Sequence, residues 1–416
     1  MGSGPIGQTA RPCRCPVLAA RRVVVDPLSP LSEALERLPA DQRRQLRSFS
    51  PAGAGLLQAD QPQAPLLLDL ASNDYLGLSA HPRLRAAAHA AIDAQGIGAG
   101  ASRLISGSRP VHAALEERLA AWLGRERVLL FPSGFQANLA AVIALADRHS
   151  LVLADRLIHH SLLVGVRASG ARLRRFAHND SAALEALLQQ QRREDPQRRL
   201  LVLTESLFSM EGTSPELAVI AGLCQNYGAL LLVDEAHALG VLGSGGRGLA
   251  HGLAGVSLIS GTFGKAFGSG GAFLAGDGPI GEWLLQTSGA FRYSTALAPP
   301  LAAAALAALE LLEEEPSMGR QLQARARHWR RALEQAGWGR PAGEGPILPL
   351  PVGPAHGALA LQQQLERGGL LSVAIRPPTV PTGSSRLRLV LRRDLPSGSL
   401  ERLLLALGAP PQRGAP

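Results

Sequence analysis

The chain is expected to fold as an α/β protein, with a large domain on a mostly parallel sheet covered by helices on both faces and a smaller C-terminal α+β domain. Three features point there. Short continuous apolar runs recur along the chain, helical periodicities fill the gaps between them, and the pattern changes after a long Ala/Leu stretch ending at Glu314. Strands that are apolar at every residue suit a sheet buried on both faces, whereas half-exposed strands alternate.

In chain order, Leu31–Arg47 has a helical pattern of Leu and charged residues, followed by Pro51 and a glycine-rich turn, and a short apolar strand lies around Pro65–Leu70. Val111–Leu123 reads as helix, Val128–Phe131 as strand, Asn138–Ala146 as helix, Leu151–Ala154 as strand and Ser161–Ala168 as helix. Leu200–Thr204 and Ala229–Val233 read as buried strands flanking the helix Leu217–Tyr227. Val256–Ile259 and Ala272–Ala275 complete the large domain, and Pro300–Glu314 is the helix that leaves it. Ile347–Val352, Leu370–Ile375 and Leu387–Leu391 are the strands of the small domain. The expected division is a disordered leader (1–29), an N-terminal segment packing on the body (30–70), a large domain (71–314) and a small domain (315–416).

Composition narrows the function. With 46% hydrophobic and 18% charged residues, the 416-residue chain is globular and long enough for a large core. The apolar run Ala296–Leu309 holds two prolines and stops at Glu310, short of the ~18 residues a membrane span needs. No membrane partner is expected. The net charge of +9 arises from 42 Lys+Arg against 33 Asp+Glu, nearly all the basic residues being Arg. No basic run is interleaved with aromatics, so nucleic acid is not expected, while a phosphate-bearing cofactor or substrate is compatible. Cys13, Cys15 and Cys224 form neither a disulfide framework nor a metal-ligand pattern, which fits a reducing cytoplasm and no metal. Residues 1–29, rich in Gly, Pro and Arg with Asp26 as the one acidic residue, lack the apolar core of a secretion signal.

Ligands of doubly wound sheets gather beyond the carboxyl ends of the strands. Five expected strands deliver polar residues there: Ser133-Gly134-Phe135 opening a helix, Asp155 with His159-His160, Glu205 with Ser209, Asp234 with His237, and Thr262 with Lys265. Each is weak alone, since a post-strand Asp is usually a helix cap and a lone Lys a solvated tip. Together they suit pyridoxal 5'-phosphate (PLP). That cofactor needs a lysine for its Schiff base and a carboxylate to keep its pyridine nitrogen protonated. Its phosphate needs amide donors at a helix N-terminus together with hydroxyls. Lys265, Asp234, the helix start at Gly134-Phe135, and Ser209 with Thr262 supply these in turn, with His237 in reach of the ring hydroxyl.

Four stretches carry a resemblance: Ser72–Leu78 (SNDYLGL), Gly96–Arg103 (GIGAGASR), Asp234–His237 (DEAH) and Thr262–Lys265 (TFGK). Over roughly residues 31–406 the chain resembles the α-oxoamine synthases, fold-type-I PLP enzymes that join an amino acid to an acyl thioester with loss of CO2. Arg174–Asp180 and Ile375–Pro381 are most similar to the branch that uses L-alanine and a pimeloyl thioester, carried by CoA or an acyl carrier protein. The resemblance implies Lys265 as the Schiff-base lysine, Asp234 and His237 as ring partners, and His159 as the imidazole stacked on the ring. It implies phosphate contacts from Gly134, Phe135, Ser209 and Thr262, and from Ser294 and Thr295 across a homodimer interface. Arg388 would grip the amino-acid carboxylate, Asn73 and Glu205 would support the site, and Thr379 and Arg47 would meet the acyl substrate. The leader has no counterpart in the family, and Thr213 stands where an acidic residue is common.

Val233–His237 also resembles the acidic box of a helicase-type NTPase. That reading needs G-x-x-x-x-G-K-[ST], yet Gly264-Lys265 is followed by Ala266, with Ile259 in place of the first glycine. Glycine- and serine-using members of the same family remain open beside the alanine-using branch, as does a silent PLP-binding protein.

Overall fold

The computed structural model describes residues 1–2, 26–60 and 63–410. Most of the expected leader, with Cys13 and Cys15, lies outside the described residues. The chain divides into two compact units, 1–45 and 46–416. The first unit carries α1 (Ser29–Glu36) and a 3-10 turn at Ala40–Gln42. The helix expected to reach Arg47 stops at Glu36. Pro39, at ψ 143°, is extended, and a proline both lacks an amide donor and disfavours helix in the residue before it.

The second unit opens with β1 (Phe49–Pro51), β2 (Leu56–Ala59) and β3 (Leu66–Asp69), then α2 (Pro82–Gln95) and α3 (Pro110–Leu123). Alternation follows: β4 (Arg127–Phe131), α4 (Gly134–Leu145), β5 (Leu151–Asp155), α5 (His160–Ser169), β6 (Arg172–Phe176), α6 (Ser181–Glu194), β7 (Leu200–Glu205), α7 (Leu217–Asn226), β8 (Leu230–Asp234). After β9 (Leu258–Thr262) and β10 (Ala272–Gly276) come α8 (Gly278–Thr287), α9 (Gly289–Arg292), α10 (Pro299–Glu314) and α11 (Met318–Gln335). The chain ends with β11 (Ile347–Gly353), α12 (Ala355–Arg367), β12 (Leu370–Leu371), β13 (Val373–Ile375), β14 (Ser385–Val390) and α13 (Ser399–Leu407).

The central sheet runs β4-β10-β9-β8-β7-β5-β6. All neighbours from β9 to β6 are parallel, and β10 is antiparallel to both β9 and β4. It is therefore the mostly parallel sheet expected. Its strands bury two faces. Leu153, Val202, Val233 and Ile259 join a core with α3, α6 and α7, whereas Val152, Leu201, Leu232 and Leu258 join another with α4, α5 and α8. This two-sided burial is why the runs are apolar throughout.

Several elements escaped the sequence pattern. β6 reads Arg-Leu-Arg-Arg-Phe and is an exposed edge, where charged side chains are tolerated and also discourage strand addition. In α11, Met318, Leu322, Ala326, Trp329 and Leu333 form a buried stripe that arginines between them conceal. The strand expected over Leu370–Ile375 is two strands in two sheets. β12 pairs with β3 in the sheet β1-β2-β3-β12, and β13 pairs with β14 in the sheet β11-β14-β13. The N-terminal strands are thereby built into the C-terminal part of the chain. The expected start of β9 at Val256 moves to Leu258, which carries that strand on to Thr262.

Gly343 joins the loop after α11 to the loop after β7. Its φ is +75°, and a side chain there would run into the Gly212 carbonyl oxygen. Gly343→Ala should cost ~2–4 kcal/mol through left-handed strain plus backbone displacement. A lowered denaturant midpoint with an unchanged slope is the expected readout.

Candidate active site

The parallel register sets the site. Glu205, the last residue of β7, lies directly opposite Asp234, the last of β8, and Asp234 opposite Ser260 of β9. Lys265 follows three residues after β9 ends. A cavity of about 210 Å³ opens at this edge, walled by Glu205, Asp234, His237, Thr262 and Lys265, with His159 and the start of α4 completing it.

Asp234 is buried and fully engaged. Its Oδ1 accepts the Ala236 amide at 2.9 Å and its Oδ2 accepts the Asn138 side-chain amide at 2.7 Å. Asn138 also donates to Ser161 Oγ at 2.9 Å, and Ser161 Oγ lies 2.7 Å from His159 Nδ1. His159 caps α5, its Nδ1 accepting from the Ser161 amide at 3.3 Å, so the free Nε2 is left to carry the proton. The His159 ring presents surface area to the cavity, yet crowding by protein still lowers its pKa; Asp234 works against that shift and Lys265 and His160 with it.

Burial governs the other titrating groups. It brings Lys265 down to about 8; the Asp234 and Glu205 charges oppose that shift and Arg388 adds to it. Lys265 shows partial surface exposure, which lies on the cavity it lines, while protein crowds its remaining sides. Glu205 is held well above its ordinary value by burial and then by the Asp234 charge, which favours its protonated form, while Lys265 opposes that shift. His237 is held well below its ordinary value by burial, then by Lys265 and Arg388, and is neutral. Its Nδ1 lies 2.5 Å from the Tyr75 hydroxyl. Tyr75 is itself completely buried and pushed up to about 12 by that burial.

Beyond this wall stands Arg388 of β14. Its Nε donates to the Ser209 carbonyl at 2.6 Å and one terminal nitrogen to Asn73 Oδ1 at 2.9 Å. Two neutral acceptors thus aim the fork without neutralising it. Asn73 Oδ1 also lies 3.4 Å from the Tyr75 hydroxyl, so a polar chain runs Arg388–Asn73–Tyr75–His237.

Of the residues expected from sequence, Gly134, Phe135, His159, Glu205, Asp234, His237, Thr262 and Lys265 line the cavity together. Asn73, Ser209 and Arg388 stand behind it, Ser209 meeting Arg388 through its carbonyl. Ser294 is bonded to the Gln136 side chain beside α4, and Thr295 is exposed and paired with Ser102. Neither is among the residues lining the cavity. Thr379 is exposed beyond β13. Arg47 is engaged in a paired contact with Glu366 and lies 4.9 Å over the Phe49 ring, outside the cavity. Sequence reasoning missed Asn138, Ser161 and Tyr75 as site residues. Asn138, one helical turn after Gly134, was the legible one. A sharper sequence signal also went unused, because Lys265 is the single lysine among the 42 lysines and arginines.

These residues fit PLP. The Gly134 and Phe135 amides, at the start of α4 where helices have free N–H groups, have no acceptor among the described residues. Glu205 Oε1 and Asn138 Oδ1 are buried at the cavity without a partner. Among the described residues no cluster suited to a metal occurs and no helix is long and apolar enough to cross a membrane.

The model of the class I and II aminotransferases matches residues 66–407. The chain belongs to this family of PLP-dependent enzymes and has its fold type I. It is 44% identical over 378 residues to the 8-amino-7-oxononanoate synthase of Anaeromyxobacter dehalogenans, covering 90% of this chain and 94% of the relative. With that of Acidithiobacillus ferrooxidans it shares 46% over 345 residues, 82% of this chain and 87% of the relative. Among solved structures, Sphingomonas wittichii serine palmitoyltransferase matches with a TM-score of 0.85 at 27% identity, over 92% of this chain and 97% of that one. The Francisella tularensis 8-amino-7-oxononanoate synthase matches at 0.70 and 27%, over 82% and 96%. The sequence resemblance to the α-oxoamine synthases is thereby borne out.

Because there is one lysine, an amine reagent applied to the cofactor-free protein reports Lys265 alone once the N-terminal peptide is set aside. Its labelling should rise through about pH 8 rather than near the ordinary 10.5. Asp234→Asn, which removes a charge that raises the value, should move the midpoint lower still, and peptide mass spectrometry reads both.

Proposed function

We propose that the protein is an 8-amino-7-oxononanoate synthase. It would condense L-alanine with a pimeloyl thioester, of CoA or of an acyl carrier protein, giving 8-amino-7-oxononanoate, free thiol and CO2 for biotin synthesis. The observation that carries this reading is the convergence of Lys265, Asp234, His159 and His237 on one cavity, in a chain 44% identical to named synthases. PLP, when bound, supplies the electron sink for the pair left at the amino-acid α-carbon.

The chain's own residues do the rest. Arg388, aimed by Asn73 and the Ser209 carbonyl, takes the alanine carboxylate in a bidentate grip that a lysine could not match. Lys265, deprotonated more readily than an exposed lysine, would hold the cofactor and would be the base for the amino-acid α-proton. Asp234, fixed by Asn138 and the Ala236 amide, would be the carboxylate partner of the pyridine nitrogen. His237, bonded to Tyr75, would be the partner of the ring hydroxyl. His159 would lie against the cofactor ring, with its Nε2–H available to an oxyanion at the thioester carbonyl. Glu205, whose burial favours its protonated form, stands at the same wall. Gly134, Phe135, Ser209 and Thr262 would hold the phosphate, joined by Ser294 and Thr295 from the other subunit of a homodimer. Thr379 and Arg47 serve the acyl substrate. Residues 71–314 would form the cofactor domain and 315–416 the small domain, preceded by an N-terminal segment at 30–70 and a leader at 1–29. A reducing cytoplasm suits the buried free thiol of Cys224.

A second reading, a serine-using palmitoyl transferase, is favoured by one observation, the higher TM-score of 0.85 to serine palmitoyltransferase against 0.70. The 41–46% identities to synthases weigh against it. Thiol release from a panel of thioesters with L-alanine, glycine or L-serine separates them. L-Alanine with a pimeloyl thioester should be fastest, and preference for L-serine with palmitoyl thioester would overturn the reading. Lys265→Ala should abolish turnover. Asp234→Asn should lower kcat by about 100-fold or more with the fold intact, since it removes the charge that holds the ring proton.

A further inference from the structure

Outside the catalytic cavity, one guanidinium gathers three carboxylates. Arg392 donates to Asp69 Oδ2 at 2.7 Å and to Ser72 Oγ at 3.2 Å, approaches Asp74 Oδ2 at 3.2 Å, and is bidentate on Asp394 with both bonds at 2.8 Å. Each carboxylate in turn pins backbone. Asp69 accepts the amides of Ala71 and Ser72 at 3.1 and 2.9 Å. Asp74 accepts the Leu78 amide at 3.0 Å and the Ser79 hydroxyl at 2.7 Å. Asp394 accepts the Gly55 amide at 3.1 Å. Gly77, at φ +70°, lets the loop pass so close to Asp394 that a side chain there would meet its carboxylate.

The pinned loop, residues 69–79, is the one that presents Asn73 and Tyr75. Two backbone bonds complete the tie: Val390 N to Leu70 O at 2.9 Å, and Arg393 N to Tyr75 O at 2.7 Å. Arg388 stands on the strand that leads into this cluster, and Asn73 lies between the two loop carboxylates. The cluster lines a separate cavity of about 480 Å³ that shares no lining residue with the catalytic one.

We propose that Arg392 is a positioning residue for the amino-acid substrate: by clamping loop 69–79 to the end of β14 it holds Asn73 against Arg388, and so aims the guanidinium that takes the carboxylate. Without Arg392, Asp69, Asp74 and Asp394 face one another uncompensated, the loop moves off β14, and Asn73 leaves the fork. The inference deepens the proposed function, on which the choice of L-alanine rests.

The test uses full-length holoprotein carrying Arg392→Met, which keeps an unbranched chain without charge, and the milder Asp394→Asn. L-Alanine is titrated against the absorbance of the bound cofactor, a reading that needs no acyl substrate. Arg392→Met should weaken alanine binding and raise its KM by about 10-fold or more, with kcat and the thioester KM changed less than about 3-fold. Arg392→Lys should restore part of the loss. In the cofactor-free variant, hydrogen exchange at Leu78 and Ser79 should quicken while the amides of β7 and β8 stay protected. A folded Arg392→Met that binds alanine like the parent overturns the proposal, as does an equal loss for alanine and thioester. Should Arg392→Met not fold, Asp394→Asn decides: a rise of about 3-fold in the alanine constant supports the clamp, and no change sinks it. If the parent binds L-alanine but releases no thiol from any thioester, the proposed reaction fails while the clamp is still read by binding and exchange.

Discussion

Two neighbouring parallel strands end in carboxyl groups, and the register leaves them no choice but to lie side by side. Glu205 and Asp234 face the same cavity as the one lysine of the chain. The two carboxyl groups have different surroundings. Asp234 accepts an amide from α4 and one from its own turn. Glu205 has an oxygen that finds no partner, and burial with the Asp234 charge beside it favours its protonated form. Lys265 lines the same cavity as both.

The second theme is tautomer control by neutral neighbours. His159 takes its orientation from Ser161 and His237 from Tyr75, and burial keeps both rings uncharged. Neutral imidazoles beside Lys265 avoid adding like charge to a low-dielectric cavity. Arg388 follows the same logic, being aimed by a carbonyl and an amide oxygen rather than by a carboxylate that would neutralise it. The ionic partners are spent elsewhere, on Arg392 and its three carboxylates, where they hold backbone rather than substrate.

The use of cations across the chain has the same division. Of the 42 lysines and arginines, all but Lys265 are arginine. Arginine stays protonated in any of these environments, whereas a lysine can be tuned by burial to give up its proton near neutrality. The one lysine amine thus stands at the cavity, where burial brings its pKa down to about 8.

Much of this was legible in the residues themselves. Continuous apolar runs announced strands buried on both faces, and the polar residue after each run announced the reactive edge, because a parallel sheet must turn all its carboxyl ends the same way. That rule picked out Lys265, Asp234, His237, Glu205 and the pair His159-His160, and the family resemblance singled out His159. Edge strand β6 and helix α11 were hidden because arginine stands where an apolar pattern was sought. What one-dimensional order could not contain was pairing between distant segments. That β12 would leave its apparent strand to join β3, that Tyr75 would meet His237, and that Asn73 would be carried to Arg388 all depend on contacts between residues 160 to more than 300 apart. Local sequence decides which residues end a strand; only the closed tertiary structure decides which ends meet, since that is settled by the packing of whole sheets and by the hydrogen bonds left over at their edges.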